Sequence, residues 1–510
     1  MRFGKVGVSY LMHSAMVLTS SRYPIRDPFF KMLNRSLSNY MNAFTAGDHT
    51  TYPFATTNRV DYNNLMDVYL DATLKPLLKA EDFKQEGWRV GPENPADPAS
   101  PLLFKGVVYN EMKGQMSDTS YLFYIRFQDH FFPSLHNSGG DPAVIPDLTL
   151  EQLRAFHRDH YNPSNAKIFT YGDTPLEDHL AKINEKFAEF GKSNVDRDLR
   201  QPITLGASQT VIVPGPIDPL MDKEAQIKTS ISWLMNDTAD VSETFGLRVL
   251  GQYLMDGYGS PLYQGLIDAK LGSDFSPNTG YDTGAQKGIF SVGLQNVRSE
   301  HVKTVHTKIP EILAEVRAKG FDSRKIDGIL HQLELGLKHK TATFGMSTMQ
   351  GLLPSWFNGV DPFDVLSWET TVNKFKEQYA QGNYLESLMD KYLLNSSTFT
   401  FTMTPDENYG KGLTGEETKR LASEIEKAGG EAAARPGLVE QEKLLLEVQE
   451  KARTEDLSCL PTLKVADIPR EMERKPLEHG TISGVPVQWR TSPTNGLTYF
   501  RGMALSISHV

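Results

Sequence analysis

The 510 residues, 39% hydrophobic and 23% charged, exclude wholesale disorder and leave room for about two to four domains with their own cores. With 63 acidic and 53 basic residues the net charge is −10, which argues against a nucleic-acid surface and for basic or neutral partners. One cysteine, Cys459, excludes an internal disulfide and a cysteine-built zinc site, and no apolar run is long enough to predict a membrane span.

Residues 1–26 carry Arg2, Lys5, Arg22 and Arg26 with no acid before Asp27, which fits an ordinary N-terminus or, more weakly, a mitochondrial targeting peptide. Phe29, Phe30, Leu33 and Leu37 predict a helix from Phe29 to about Met41. Residues 42–57 read as strand, and Asp61–Leu78 as a helix stopped near Pro76. The four prolines of 91–101 predict a loop, and Lys105–Lys113 a helix or its approach. Gly139–Leu148 reads as a surface loop, and Thr149 as the cap that opens the next helix. From Asn162-Pro163 the pattern predicts a strand (Lys167–Tyr171), a helix from Leu176, strands at Thr210–Val213 and Lys228–Met235, a helix at Phe245–Met255 and a strand at Gly288–Gln295.

Between Gly410 and Asp456 eleven acids and eight bases, punctuated by Gly429-Gly430 and Pro436-Gly437, predict a solvated helical hairpin acting as a linker. After Pro461 the chain turns strand-like, and Leu497–Ile507 reads as the first strand of something new. This mixture is too irregular for a doubly wound parallel sheet. It predicts an α+β class: two similar α/β sandwich domains (20–160 and 161–409), the hairpin (410–460) and a partial third domain (461–510).

Several blocks carry a family signature: Tyr23-Pro-Ile-Arg-Asp-Pro-Phe-Phe, Met41-Asn-Ala-Phe-Thr-Ala, Asp82-Phe-Lys-Gln-Glu-Gly-Trp-Arg, Tyr109-Asn-Glu-Met-Lys-Gly, Leu271-Gly-Ser-Asp-Phe-Ser-Pro and Ser458-Cys-Leu-Pro. In this order they resemble the presequence-protease branch of the pitrilysin-type zinc metallopeptidases, over roughly residues 20 to 501. The resemblance implies a zinc metalloendopeptidase that degrades short unfolded peptides, such as cleaved presequences, in the mitochondrial matrix. Such enzymes close two similar halves, joined by a helical hairpin, around a chamber. This chain matches the first half, the hairpin and the start of the second, so it reads as a fragment whose partner is a missing C-terminal half or a partner subunit, with neither nucleic acid nor membrane involved.

Family chemistry rests on H-x-x-E-H, whose two histidines bind zinc while the glutamate activates water. Counting back from Tyr23 places that motif at residues 10–14, where Tyr10 and Ser14 take the histidine positions and His13 the base position; the motif occurs nowhere else. Glu111 matches the third ligand and is the single metal position left. The chain is therefore expected to bind no zinc, to hold no catalytic residue and not to hydrolyse peptides. Residues 1–19 are then either foreign to the family, or the chain is a non-catalytic peptide-binding or scaffold relative.

By the same resemblance Phe29, Phe30 and Leu33 line a pocket for a substrate side chain, against the alternative of ordinary core. Asn42, Ala43, Phe44 and Thr45 match an edge strand to which a peptide adds through backbone hydrogen bonds. His157 and His160 read as a helix-end pair, His301 and His306 as solvent residues, and Cys459 as structural.

Overall fold

The computed structural model describes residues 19–132, 137, 139–193, 204–205, 207–471, 476–492 and 494–503. Near the N-terminus α1 (Pro28–Leu33) ends eight residues before the expected Met41. The buried carboxylate of Asp61 draws the following chain away, accepting from Ser36 Oγ at 2.8 Å and Leu37 N at 3.0 Å. The strand-like stretch forms a bent hairpin: β1 (Tyr40–Met41) and β2 (Phe44–Thr45) pair antiparallel with β4 (Phe54–Ala55) and β3 (Thr50–Thr51). Asn58 caps α2 (Arg59–Leu74), its side chain accepting from the Val60 and Asp61 amides.

After α3 (Ala80–Glu86), β5 (Arg89–Pro92) and β6 (Leu102–Lys105) form a ladder around the proline loop. Gly106 leads from it into α4 (Val107–Gln115) at a spot where a Cβ would lie 2.0 Å from the Gly87 carbonyl oxygen, so no larger residue fits. Then come α5 (Thr119–Phe131), α6 (Leu150–His160), opened by the expected Thr149 and closed into a capping box by Gln152, and α7 (Leu176–Phe187). Residues 167–171, expected as a strand, pair with no other strand among the described residues, and Ile168 and Tyr171 are exposed.

The second part is built on a sheet of β7 (Gln209–Gly215), β8 (Ile227–Asp237), β9 (Asp274–Phe275), β10 (Gly280–Asp282), β11 (Lys287–Val297) and β12 (Phe399–Pro405). Their order is β10-β11-β8-β12-β7, with β9 also on β11, antiparallel throughout except for the parallel pair β12–β7. Alternation along β8 decides its two faces. Ile231, Trp233 and Met235 enter a core shared with α8 (Val241–Met255), α9 (Val302–Lys319) and α10 (Ser323–Lys338). Past α11 (Phe344–Phe357) and α12 (Pro362–Leu366), the helices α13 (Trp368–Ala380) and α14 (Tyr384–Tyr392) complete that layer.

The opposite face belongs to α5, an element the sequence reading passed over. Phe123 and Phe131 of α5 meet Phe401 and Phe399 of β12 edge-on, with centroids 5.1 and 5.2 Å apart. A helix from the first part thus covers the sheet of the second, and one apolar core joins them. Phe401→Ala is expected to cost about 3–5 kcal/mol in urea unfolding, because the cavity would open inside this shared core. Unchanged stability would mean that α5 does not pack on β12.

The hairpin is as expected, α15 (Tyr409–Lys427) and α16 (Glu431–Arg453), reversing at Gly429 and Gly430, both at positive φ near 90°. Pro436 lies inside α16 without ending it. The hairpin is not merely a solvated face, which corrects the sequence reading. Glu442 is buried and accepts from Arg89 Nε at 2.8 Å and Lys105 Nζ at 2.8 Å. Glu417 takes the Lys113 ammonium and the Tyr109 hydroxyl, Arg420 reaches Asp147, and Glu455 takes Lys31. Beyond it β13 (Glu478–Ile482) and β14 (Val485–Trp489) form a two-stranded hairpin. The strand expected at 497–507 does not form over 497–503, and the rest of it lies outside the described residues.

Candidate peptide-binding site

The residues singled out for peptide binding gather on the bent hairpin and α1. Phe29 is half-buried, with Phe30 edge-on at 5.3 Å and Tyr69 of α2 at 5.5 Å. Tyr69 also touches Phe54 at 4.9 Å, and its hydroxyl donates to the Pro53 carbonyl at 3.3 Å. The same carbonyl accepts the Asn42 amide at 3.2 Å. Tyr69 is thus the pillar that holds α1 beside the edge strand, and burial pushes its phenol far above the usual range. The sequence reading missed it, because its part comes from contacts with α1 and the hairpin and not from its neighbours in sequence.

Phe30 and Leu33 are 54% and 47% exposed, so they present an apolar surface rather than core. Phe44 is also exposed and stacks on Tyr40 at 6.2 Å, whereas Ala43 is buried. One edge of 40–45 is paired with 50–55; the other meets no strand among the described residues. Asn42 bonds locally there, its Oδ1 accepting the Ala43 amide at 2.8 Å. Beside α1 an open groove of about 520 Å³ is lined by Lys31, Arg35, Leu37, Leu457 and Ile468.

Glu111 lies on an exposed face of α4, where its carboxylate accepts from Gln115 Nε2 at 3.2 Å. Neighbouring Tyr121 has its phenol pushed up by burial, and further by the Glu111 charge. Tyr10, His13 and Ser14 lie outside the described residues. Among the described residues no three His, Cys, Asp or Glu side chains come together in a way that could hold a metal ion. Among the described residues Glu111 supplies one carboxylate, where a catalytic zinc site takes three protein donors.

His157 and His306 have local partners. His157 Nε2 bonds to the Thr73 carbonyl at 2.9 Å, and burial lowers its pKa. His306 is not a solvent residue, which corrects the sequence reading: Nε2 bonds to Thr229 Oγ1 at 2.7 Å across the sheet face. Cys459 is exposed.

The description "Peptidase M16 inactive domain" matches residues 147–333, and "Peptidase M16C associated" matches residues 403–509. Mitochondrial presequence proteases of Gibberella zeae, Aspergillus fumigatus and Schizosaccharomyces pombe are 57%, 51% and 46% identical over 98%, 98% and 97% of this chain. The chain covers 50%, 48% and 50% of those proteins, about half their length. A crystal structure of a peptidase M16 inactive domain from Pseudomonas fluorescens shares the fold, with a TM-score of 0.60 at 17% identity, over 79% of this chain and 88% of that one. A protease from Helicobacter pylori does so equally, with a TM-score of 0.60 at 16% identity, over 78% and 90%. The two M16 family models and the presequence-protease relatives agree: the chain belongs to the M16 (pitrilysin-type) peptidase family, in its presequence-protease branch.

Proposed function

We propose that this chain forms the peptide-holding first half of a presequence-type peptidase, and takes short unfolded peptides such as cleaved targeting sequences in the mitochondrial matrix. The observation that carries the reading is the edge of 40–45, which meets no strand among the described residues and carries the exposed Phe44, together with the exposed Phe30 and Leu33 of α1. An extended peptide can add there as a further strand, with its backbone bonded to the edge and its apolar side chains on the neighbouring rings. Hydrolysis is not assigned to this chain by itself, because Glu111 is the one family ligand position its sequence matches. A complementary C-terminal half is the partner that the half-length match to the relatives favours.

The test is fluorescence anisotropy with a labelled presequence-like peptide and a copy N-methylated at alternate amides. Strand addition predicts binding of the first and about tenfold or weaker binding of the second, since two lost hydrogen bonds cost roughly 1–3 kcal/mol. Equal binding of both would rule out backbone pairing at the edge.

A further inference from the structure

β8 alternates apolar and small polar residues until Lys228, where an ammonium points into the face that α5 covers. Lys228 is 6% exposed. Among the described residues its one hydrogen bond runs from Nζ to Thr119 Oγ1, 3.0 Å away at the start of α5. No carboxylate there lies within ion-pair distance of it, so a charge with three donors has one neutral acceptor. Buried charges are costly when they stay unpaired, and burial indeed lowers the Lys228 pKa despite the nearby Asp118 and Asp218.

The strand opposite makes room beside it. β11 pairs Leu294 with Thr229 and Val297 with Ile227, leaving Gln295 and Asn296 as a bulge against Lys228. Asn296 takes φ 56° to make that turn, and its amide is held by Ser273 Oγ at 2.7 Å. The result is a polar cavity of about 250 Å³ bounded by Lys228, Thr119, Ser120, the bulge and Thr404, with Asp118 and Asp218 also on its wall. Bulges beside ligand sites re-aim side chains and end pairing in this way.

Neighbouring polar groups are already committed. Asp118 caps α5 through the Ser120 and Tyr121 amides, and Asp218 takes the Leu220 amide. Gln226 closes its own loop, accepting from Asp218 N and donating to Asp218 O. Lys228 is thus the one ammonium on the wall of a space large enough for a small molecule, with Asp118 and Asp218 on the same wall.

We propose that this cavity binds a small monocarboxylate, with Lys228 as the counter-charge and the Thr119 hydroxyl as a second contact. A dianion such as phosphate fits less well, because Asp118 and Asp218 lie close enough to repel a second negative charge. The free C-terminal end of a short peptide is the source that matches the function proposed above, and this attribution alone rests on that reading.

The experiment is calorimetric titration of the full chain with N-acetylalanine, N-acetylalanine amide, acetate and inorganic phosphate, repeated on Lys228→Met and Lys228→Arg. The proposal expects N-acetylalanine to bind and its amide not to. It further expects Lys228→Met to lose about tenfold or more of that affinity and Lys228→Arg to retain it. Acetate binding as tightly as N-acetylalanine would keep the carboxylate site and overturn the peptide source. Tighter binding of phosphate, no binding of any probe, or carboxylate affinity unaffected by Lys228→Met would overturn the site. Urea unfolding of each variant separates loss of binding from loss of fold. Anisotropy with the labelled peptide, run on the same variants, reports the edge strand separately, so failure of one reading does not pass for failure of the other.

Discussion

Glu442→Ala is expected to loosen the helical hairpin from the first part of the chain, at a cost of about 3–5 kcal/mol. That is the range for removing one partner of a buried ion pair and leaving the other uncompensated. Here two cations are stranded, Arg89 and Lys105, both bonded to a carboxylate whose side chain is 4% exposed. Chevron or equilibrium urea data would report the loss, and limited proteolysis at Gly429-Gly430 would report the loosened hairpin. A variant with wild-type stability would show that the hairpin is held by its other contacts.

The same joint is acid-sensitive. Burial raises the Glu442 pKa, but the hydrogen bonds and charges of Arg89 and Lys105 outweigh it and leave the carboxyl below its ordinary 4.5. A depressed folded-state value means that the stabilisation is fully present above about pH 4.5 and is lost as the pH falls through the folded-state value. Wild-type stability should therefore decline below pH 4.5 more steeply than that of Glu442→Gln.

The second large effect concerns metal. Purified chain is expected to contain no stoichiometric zinc and to show no chelator-sensitive cleavage of a fluorogenic peptide. A full zinc site contributes on the order of 10–16 kcal/mol, and a positioned general base a further factor of roughly 10²–10⁴ in rate. The count that puts Tyr10, His13 and Ser14 at the motif positions leaves Glu111 as the one matching ligand, which is the ground of this expectation. Tyr10→His, His13→Glu and Ser14→His together restore the family pattern at the counted position. Zinc uptake by that triple variant, measured by mass spectrometry of the metal, would support the count. Zinc bound by the unaltered chain would refute the account of its donor set.

Local chemistry made part of this molecule readable from its residues. The Thr149 cap, the Gly429-Gly430 reversal and the strands at 210–213, 228–235 and 288–295 each rest on neighbours in sequence, and each is present. What failed depended on distant partners. α1 stops early because Asp61 binds Ser36 and Leu37 from the next helix, and 167–171 is no strand because it has no strand to pair with among the described residues. α5 was missed because it is apolar on the face turned to the sheet and aromatic along much of its length, which blurs the helical period. At the candidate site, the family blocks are what singled out residues 29–45. Tyr69 and Lys228 were not, because their roles come from a contact across α1 and from a bulge in a strand some 70 positions away.

The seam between α5 and β12 has a price in time. A ribosome adding about 5–20 residues per second delivers Phe399 and Phe401 tens of seconds after Phe123 and Phe131 have emerged. Throughout that interval an aromatic ridge is in water without its cover, so a newborn chain is a substrate for holding chaperones until β12 arrives.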